Sequence, residues 1–106
     1  MMILTGELVP GYEVKEILGP VFGLTVRARG LGKDITATFK GLVGGEIKQY
    51  AEMLEVGRQE ALDRLTKNAQ QMGADAIIMF RFDSGSISNN MSEIVAYGTA
   101  VTLEKK

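Results

Sequence analysis

Among its 106 residues the chain has no cysteine and no histidine. Those absences exclude disulfides, thiolate nucleophiles, catalytic triads, imidazole bases and the usual ligands of zinc, copper and iron–sulfur centres. No site for a soft metal is expected, and any bound metal should be a hard divalent cation held by carboxylates and carbonyls. An excess of either charge is also missing, since 12 Lys and Arg stand against 13 Asp and Glu for a net charge of −1. Without a basic patch interleaved with aromatics, nucleic acid is not a partner to expect. The longest apolar run, Ala76 to Phe80, falls far short of the roughly 20 residues that cross a bilayer. No basic region followed by an apolar core and a cleavage site opens the chain. The expectation is a cytoplasmic protein with no membrane partner. Gly-Leu-Gly-Lys at 30–33 lacks the remainder of a phosphate-binding fingerprint, so these read as turn glycines. The six methionines are scattered and read as packing residues.

What is present is one ordinary globular domain, 1–106, 45% hydrophobic and 24% charged. Its organising stretch is Glu46 to Met72. There Ile47, Tyr50, Ala51, Leu54, Gly57, Ala61, Leu65, Ala69 and Met72 recur at steps of three and four, along one stripe of an α-helix. The other face carries opposite charges four apart, Lys48 with Glu52, Glu60 with Arg64 and Asp63 with Lys67, and reads as solvated. Gly44-Gly45 in front, Glu46 at the positive end of the dipole and Gly73 behind mark the ends. Such a helix runs about 40 Å, whereas a compact monomer of this length is only about 34 Å across. One end should therefore project beyond the monomer's own core. Gly57 and Ala61, small and four apart, suit close approach of another backbone.

Met2 to Thr5, ended by Gly6 and the Pro10-Gly11 turn, predicts a short first strand. Tyr12 to Ala28 is rich in β-formers but interrupted by Gly19-Pro20 and Gly23, which favours one long strand bent at an edge. From Asp34 to Val43 strand and helix periods compete, and Asp34 as N-cap with Gly41 and Gly44 behind favours a short helix. After the long helix, Ala76–Asp83, a Ser/Gly/Asn-rich loop and Glu93–Leu103 predict a β-hairpin with a wide loop. Alternation puts Ile78, Phe80 and Phe82 on one face with Ile94, Ala96, Gly98 and Ala100. Ile77, Met79, Val95, Tyr97 and Val101 fall on the other. Both faces are apolar, so the second needs cover from the N-terminal strands or from a neighbouring subunit.

Candidate site residues follow from these placements. Arg81, Asp83 and Glu93 share one face of the hairpin by parity, either as a rim salt bridge or as a small carboxylate metal site for a hard cation. The amides of Gly44 and Gly45 could hold an anion at the helix start, although Glu46 already stands there as a cap. Tyr50 lies on the apolar stripe, as a core or interface aromatic or as a platform for a flat ligand.

In combination, Val43-Gly44-Gly45-Glu46-Ile47, Tyr50, Glu52-Met53-Leu54, Arg58, Gly73-Ala74-Asp75-Ala76, Arg81-Phe82-Asp83, Glu93-Ile94 and Ala96 to Val101 resemble the YbjQ-like family labelled as heavy-metal-binding. The resemblance spans nearly the whole chain. It implies an α+β fold, with a curved antiparallel sheet around one long helix plus a short helix, similar to dodecin subunits and assembled into a ring, most simply a homopentamer. The metal label sits poorly with a chain that lacks thiolate and imidazole.

Three classes of function remain open. One is a non-enzymatic homo-oligomer binding a small molecule or ion at its subunit interfaces, with Gly45, Glu46, Tyr50, Arg81 and Tyr97 as ligand contacts. Another is a purely structural or protein-interaction oligomer. The third, an enzyme working through carboxylates, Tyr50 or Tyr97, is disfavoured by the missing Cys and His and by the lack of a paired-carboxylate motif, so no catalytic residue is assigned.

Overall fold

The computed structural model describes residues 1–28, 45–88 and 91–106, with the side chains of 27–28, 45–47, 49–50, 86–88 and 91 outside that description. The predicted short helix at Asp34–Val43 lies outside the described residues. Strands β1 (Met2–Ile3) and β2 (Tyr12–Ala28) precede helix α1 (Gly45–Gln71), and β3 (Ala76–Ser88) and β4 (Met91–Lys105) follow it. They form one sheet of order β1-β3-β4-β2 with the helix on one face, an α+β fold. The sheet is mixed, which corrects the antiparallel expectation. β1 pairs parallel with β3, whereas β4 runs antiparallel to both of its neighbours. The cause is the segment after β1, which carries the chain from one sheet edge to the other before β2 begins, with Val9 buried on the way.

The bent-strand reading of Tyr12–Ala28 matches the structure. β2 is one 17-residue edge strand whose register against β4 slips between Val14 and Glu16 and again between Ile17 and Gly19. Pro20 pairs with Thr99 on this edge, where a missing N–H does least harm. With strands this long the molecule measures 54 × 24 × 16 Å and its radius of gyration is 17.1 Å, against about 13 Å for a compact chain of this size. The assumption of a compact monomer was therefore too small. No helix among the described residues is long and apolar enough to cross a membrane.

Helix α1 ends as its sequence suggests. Gly73 takes φ 82°, the Ala74 N–H donates to the Ala69 carbonyl at 3.1 Å and the Gly73 N–H to the Gln70 carbonyl at 3.0 Å. That pair of bonds is the Schellman closure, and it requires a left-handed residue that only glycine adopts at no steric cost. Ala61, Leu65 and Ala69 from the helix are fully buried against Val21, Ile77, Ile94, Ala96 and Ala100 from the sheet. The small stripe is thus used internally. A β-carbon on Gly23 would collide with the backbone of Ala61 and Leu65, so helix and β2 touch main chain to main chain. The close approach expected at Ala61 is with the chain's own sheet, because β2 supplies a glycine at the matching point.

The hairpin departs from expectation in two respects. The Ser/Gly/Asn-rich stretch is largely strand, with Ser84 paired to Ile94, Gly85 to Glu93 and Ser86 to Ser92, so the predicted wide loop is replaced by extended pairing. A bulge between Ile78 and Arg81 shifts the register by one residue. As a consequence Ile77, and not Ile78, joins the helix-side core with Ala100, while Phe82 beyond the bulge pairs with Ala96 on that same side. Met79 sits in the bulge at φ 55°, a left-handed conformation that costs about 1 kcal/mol or more for a side chain other than glycine. Among the methionines, Met1, Met2, Met72 and Met79 are exposed and do not pack the core.

Candidate functional site

On the helix side of the sheet a hollow of about 240 Å³ lies between α1 and β3, lined by Glu55, Arg58, Gln59, Leu62 and Phe82. Glu55, Arg58, Gln59 and Leu62 recur at steps of three and four and so form one face of the helix, beside the buried stripe. Phe82 lies just past the bulge in β3, on the helix side with Ala96. The Arg58 guanidinium carbon stands 5.8 Å from the centre of the Phe82 ring, within the range where a cation is drawn to an aromatic face. Phe80 meets that ring edge-on, centroids 4.9 Å apart and planes at 76°, and holds it in place. The hollow therefore presents an apolar wall and floor with one cation, one carboxylate and one amide at its rim. This composition suits a small ligand with an apolar body and an anionic end.

None of these five residues was among the sequence-derived site candidates. The signal was available, because a polar face at helical spacing that also contains Leu62 is more than a solvated face. Phe82 falls on the Ala96 side as alternation has it, but spacing alone does not show which helix residues stand beside it.

The predicted site residues are dispersed. Gly45 and Glu46 begin α1 and Tyr50 lies within its first two turns, but their side-chain surroundings fall outside the described residues. By register Arg81, Asp83, Glu93 and Tyr97 share the sheet face opposite the helix, as parity required, with Arg81 opposite Tyr97, Asp83 opposite Val95 and Glu93 opposite Gly85. Among the described residues no group of three or more carboxylates comes together there. One guanidinium nitrogen of Arg81 donates to the Thr5 carbonyl at 2.8 Å and the Phe80 carbonyl at 2.7 Å. Asp83 accepts from the Ser84 N–H at 2.8 Å. The contacts of Arg81 and Asp83 are thus with backbone groups along β3. Tyr97 is half-buried beside Phe22 of β2.

The charged face of α1 is also less solvated than its spacing suggested. The Thr25 hydroxyl, 2% exposed, donates to Glu60 at 2.9 Å; Arg64 donates to the Leu24 carbonyl and Asn68 to the Phe22 carbonyl at 2.7 Å. Side chains four apart on the helix thus cap the open edge of β2, where strand carbonyls face away from β4. Asp63 accepts from the Gln59 amide at 2.9 Å.

The sequence profile of the YbjQ family, described as "Putative heavy-metal-binding", matches residues 1–104. The chain belongs to this family. A UPF0145 protein of Thermotoga petrophila is 58% identical over 105 residues, 99% of each chain. Another, of Sulfurisphaera tokodaii, is 50% identical over 105 residues, 99% of this chain and 92% of that one. A crystal structure of a protein of unknown function from Pediococcus pentosaceus, of the DUF74 family, matches with a TM-score of 0.66 at 20% identity over 98% of both chains. That likeness shows the shared fold. The family description names a heavy metal, yet the donor set of this chain does not fit one. It has no Cys or His, and among the described residues no group of three metal-binding side chains comes together.

Proposed function

We propose that this member of the YbjQ family is a non-enzymatic homo-oligomer of the cytoplasm that holds a small molecule where its copies meet. The observation that carries the reading is the Arg58–Phe82 hollow, an open groove of about 240 Å³ with an apolar lining and a cation beside an aromatic face to orient a ligand. Its rim offers one carboxylate, one guanidinium and one amide, with no nucleophile–base pair. We take the assembly to be a dodecin-like ring of five, the number that the family resemblance implies. Soft metals have no part in this reading, and a hard divalent cation near Asp83 and Glu93 is its lesser form. Native mass spectrometry of protein purified without chelators tests it. The expected spectrum is an oligomer carrying an organic mass that Arg58→Ala and Phe82→Ala each remove. A bare monomer, or one tightly held zinc or copper ion per subunit, would overturn it.

A further inference from the structure

The rim of the Arg58–Phe82 hollow holds two opposite charges that do not pair with each other. Glu55 and Arg58 are three apart on α1, a spacing at which helix side chains are neighbours and ion pairs form. The guanidinium lies instead beside the Phe82 ring. Among the described residues neither the Glu55 carboxylate nor the Arg58 guanidinium makes a hydrogen bond or an ion pair. Both side chains are exposed, so these groups are open to a ligand arriving from solvent.

Gln59 completes the set. Its Nε2 donates to Asp63 at 2.9 Å, and that bond leaves the amide oxygen as an acceptor on the other side of the carboxamide. The rim thus offers acceptors from Glu55 and Gln59 and donors from Arg58, while Leu62 and Phe82 supply the apolar lining. The two charges in the lining sum to zero. An anion with an apolar body would satisfy Arg58 and meet a like charge at Glu55, and a cation would do the reverse. A ligand with both charges on one carbon satisfies both. At about 240 Å³ the hollow is smaller than the roughly 300–1,000 Å³ of sites for drug-sized ligands, which limits the occupant to one small molecule.

We propose that the hollow takes a free α-amino acid with an apolar side chain, its carboxylate on Arg58, its ammonium on Glu55 and Gln59, and its side chain against Leu62 and Phe82. The inference rests on the small-molecule reading above and names the class of that molecule. A guanidinium carries its N–H groups at the edge of a plane, so a face can meet an aromatic ring while the edge binds a carboxylate through two parallel hydrogen bonds. Each terminus of a longer peptide carries only one of the two charges, so a peptide end would leave Glu55 or Arg58 unmatched. A charged side chain on the amino acid would lose its water against Leu62 and Phe82 without gaining a partner.

Isothermal titration of the full chain with L-leucine tests the proposal, with isocaproate and isoamylamine as probes that keep the side chain and lack the ammonium or the carboxylate. Leucine should bind saturably and each truncated probe about tenfold or more weakly, for the loss of one charge-assisted contact. Glu55→Gln should weaken leucine several-fold and leave isocaproate unchanged or tighter, whereas Arg58→Gln should weaken both. Circular dichroism checks that the two variants keep their fold. Isocaproate binding as tightly as leucine, or leucine binding that Glu55→Gln leaves unchanged, would overturn the amino acid and leave the small-molecule reading standing. Leucine binding that Arg58→Gln does not weaken would overturn the proposal too, because the amino acid would then sit elsewhere. Binding of none of the three probes also overturns it, and the native mass spectrum then tests the small-molecule reading separately. An organic mass lost in Phe82→Ala would keep the hollow as a site for another class of ligand, and a spectrum without one would remove both.

Discussion

A β-carbon placed on Gly23 would lie 2.1 Å from the carbonyl oxygen of Ala61. It would also stand 2.3 Å from the Leu65 nitrogen and 2.8 Å from its α-carbon. Every obstructing atom is backbone, so no rotamer change relieves the clash and the helix must lift from the sheet. Gly23→Ala is therefore expected to cost about 3 kcal/mol, the upper part of the overpacking range, in a denaturant titration. Gly85→Ala is the control, since its new carbon would meet Glu93 Oε1 at an ordinary 3.6 Å. Similar losses in both variants would refute the main-chain contact as the cause.

Thr25 and Glu60 offer a second test because their burial differs. Glu60→Ala strands a hydroxyl that is 2% exposed, at about 1–3 kcal/mol, whereas Thr25→Val leaves a half-exposed carboxylate that water can solvate, at about 1 kcal/mol. The expected order in thermal denaturation is Glu60→Ala the less stable, and a reversed order would mean that the stranded carboxylate, and not the buried hydroxyl, sets the cost.

Much of this architecture was legible from the chain. Period and glycine placement located α1 to within a residue at each end, and Gly19-Pro20 announced the bend in β2. The β3 register was not legible, because Met79 is an ordinary strand residue and its left-handed φ comes from tertiary contacts. Its N–H donates to the Gly6 carbonyl at 3.0 Å and that of Phe80 to the Leu4 carbonyl at 3.0 Å, holding the bulge open from outside. Missing that bulge misplaced Ile77 and Ile78, while Phe82 lies on the Ala96 side as alternation has it. The outward run of Val14, Ile17, Phe22, Leu24 and Val26 on β2 was hidden because two slips break a period-two pattern that reappears once the register is known. The Ser84–Ser86 segment has the composition of a loop, which describes how exposed a segment is better than whether it pairs.

That left-handed residue yields a signed prediction. Met79 is 43% exposed, so its side chain adds little packing, while its φ penalises any β-carbon. Met79→Gly should be neutral or raise stability by up to about 1 kcal/mol, and Met79→Val should lower it by more than 1 kcal/mol, because branching worsens the left-handed conformation. A glycine variant that loses stability as much as the valine would argue that the bulge relaxes without strain.

Arg81 gives the last prediction, and it separates local from global stability. Its guanidinium bridges the Thr5 and Phe80 carbonyls, joining the segment after β1 to the edge of β3 just past the bulge. The same join is made by the N–H groups of Leu4, Met79 and Phe80, which donate to Ile77, Gly6 and Leu4. The side chain is exposed, so Arg81→Ala should change the global unfolding free energy by about 1 kcal/mol or less. The segment it ties down is short, pairs over only two β1 residues, and should open independently of the α1–β2–β4 core. Amide hydrogen exchange at Leu4, Met79 and Phe80 should then quicken several-fold in the variant, while amides of Leu65 and Ala96 keep the rates of the parent. Equal acceleration at all five amides would mean that Arg81 supports the whole fold, and no acceleration at the first three would mean that the backbone bonds hold the segment without it.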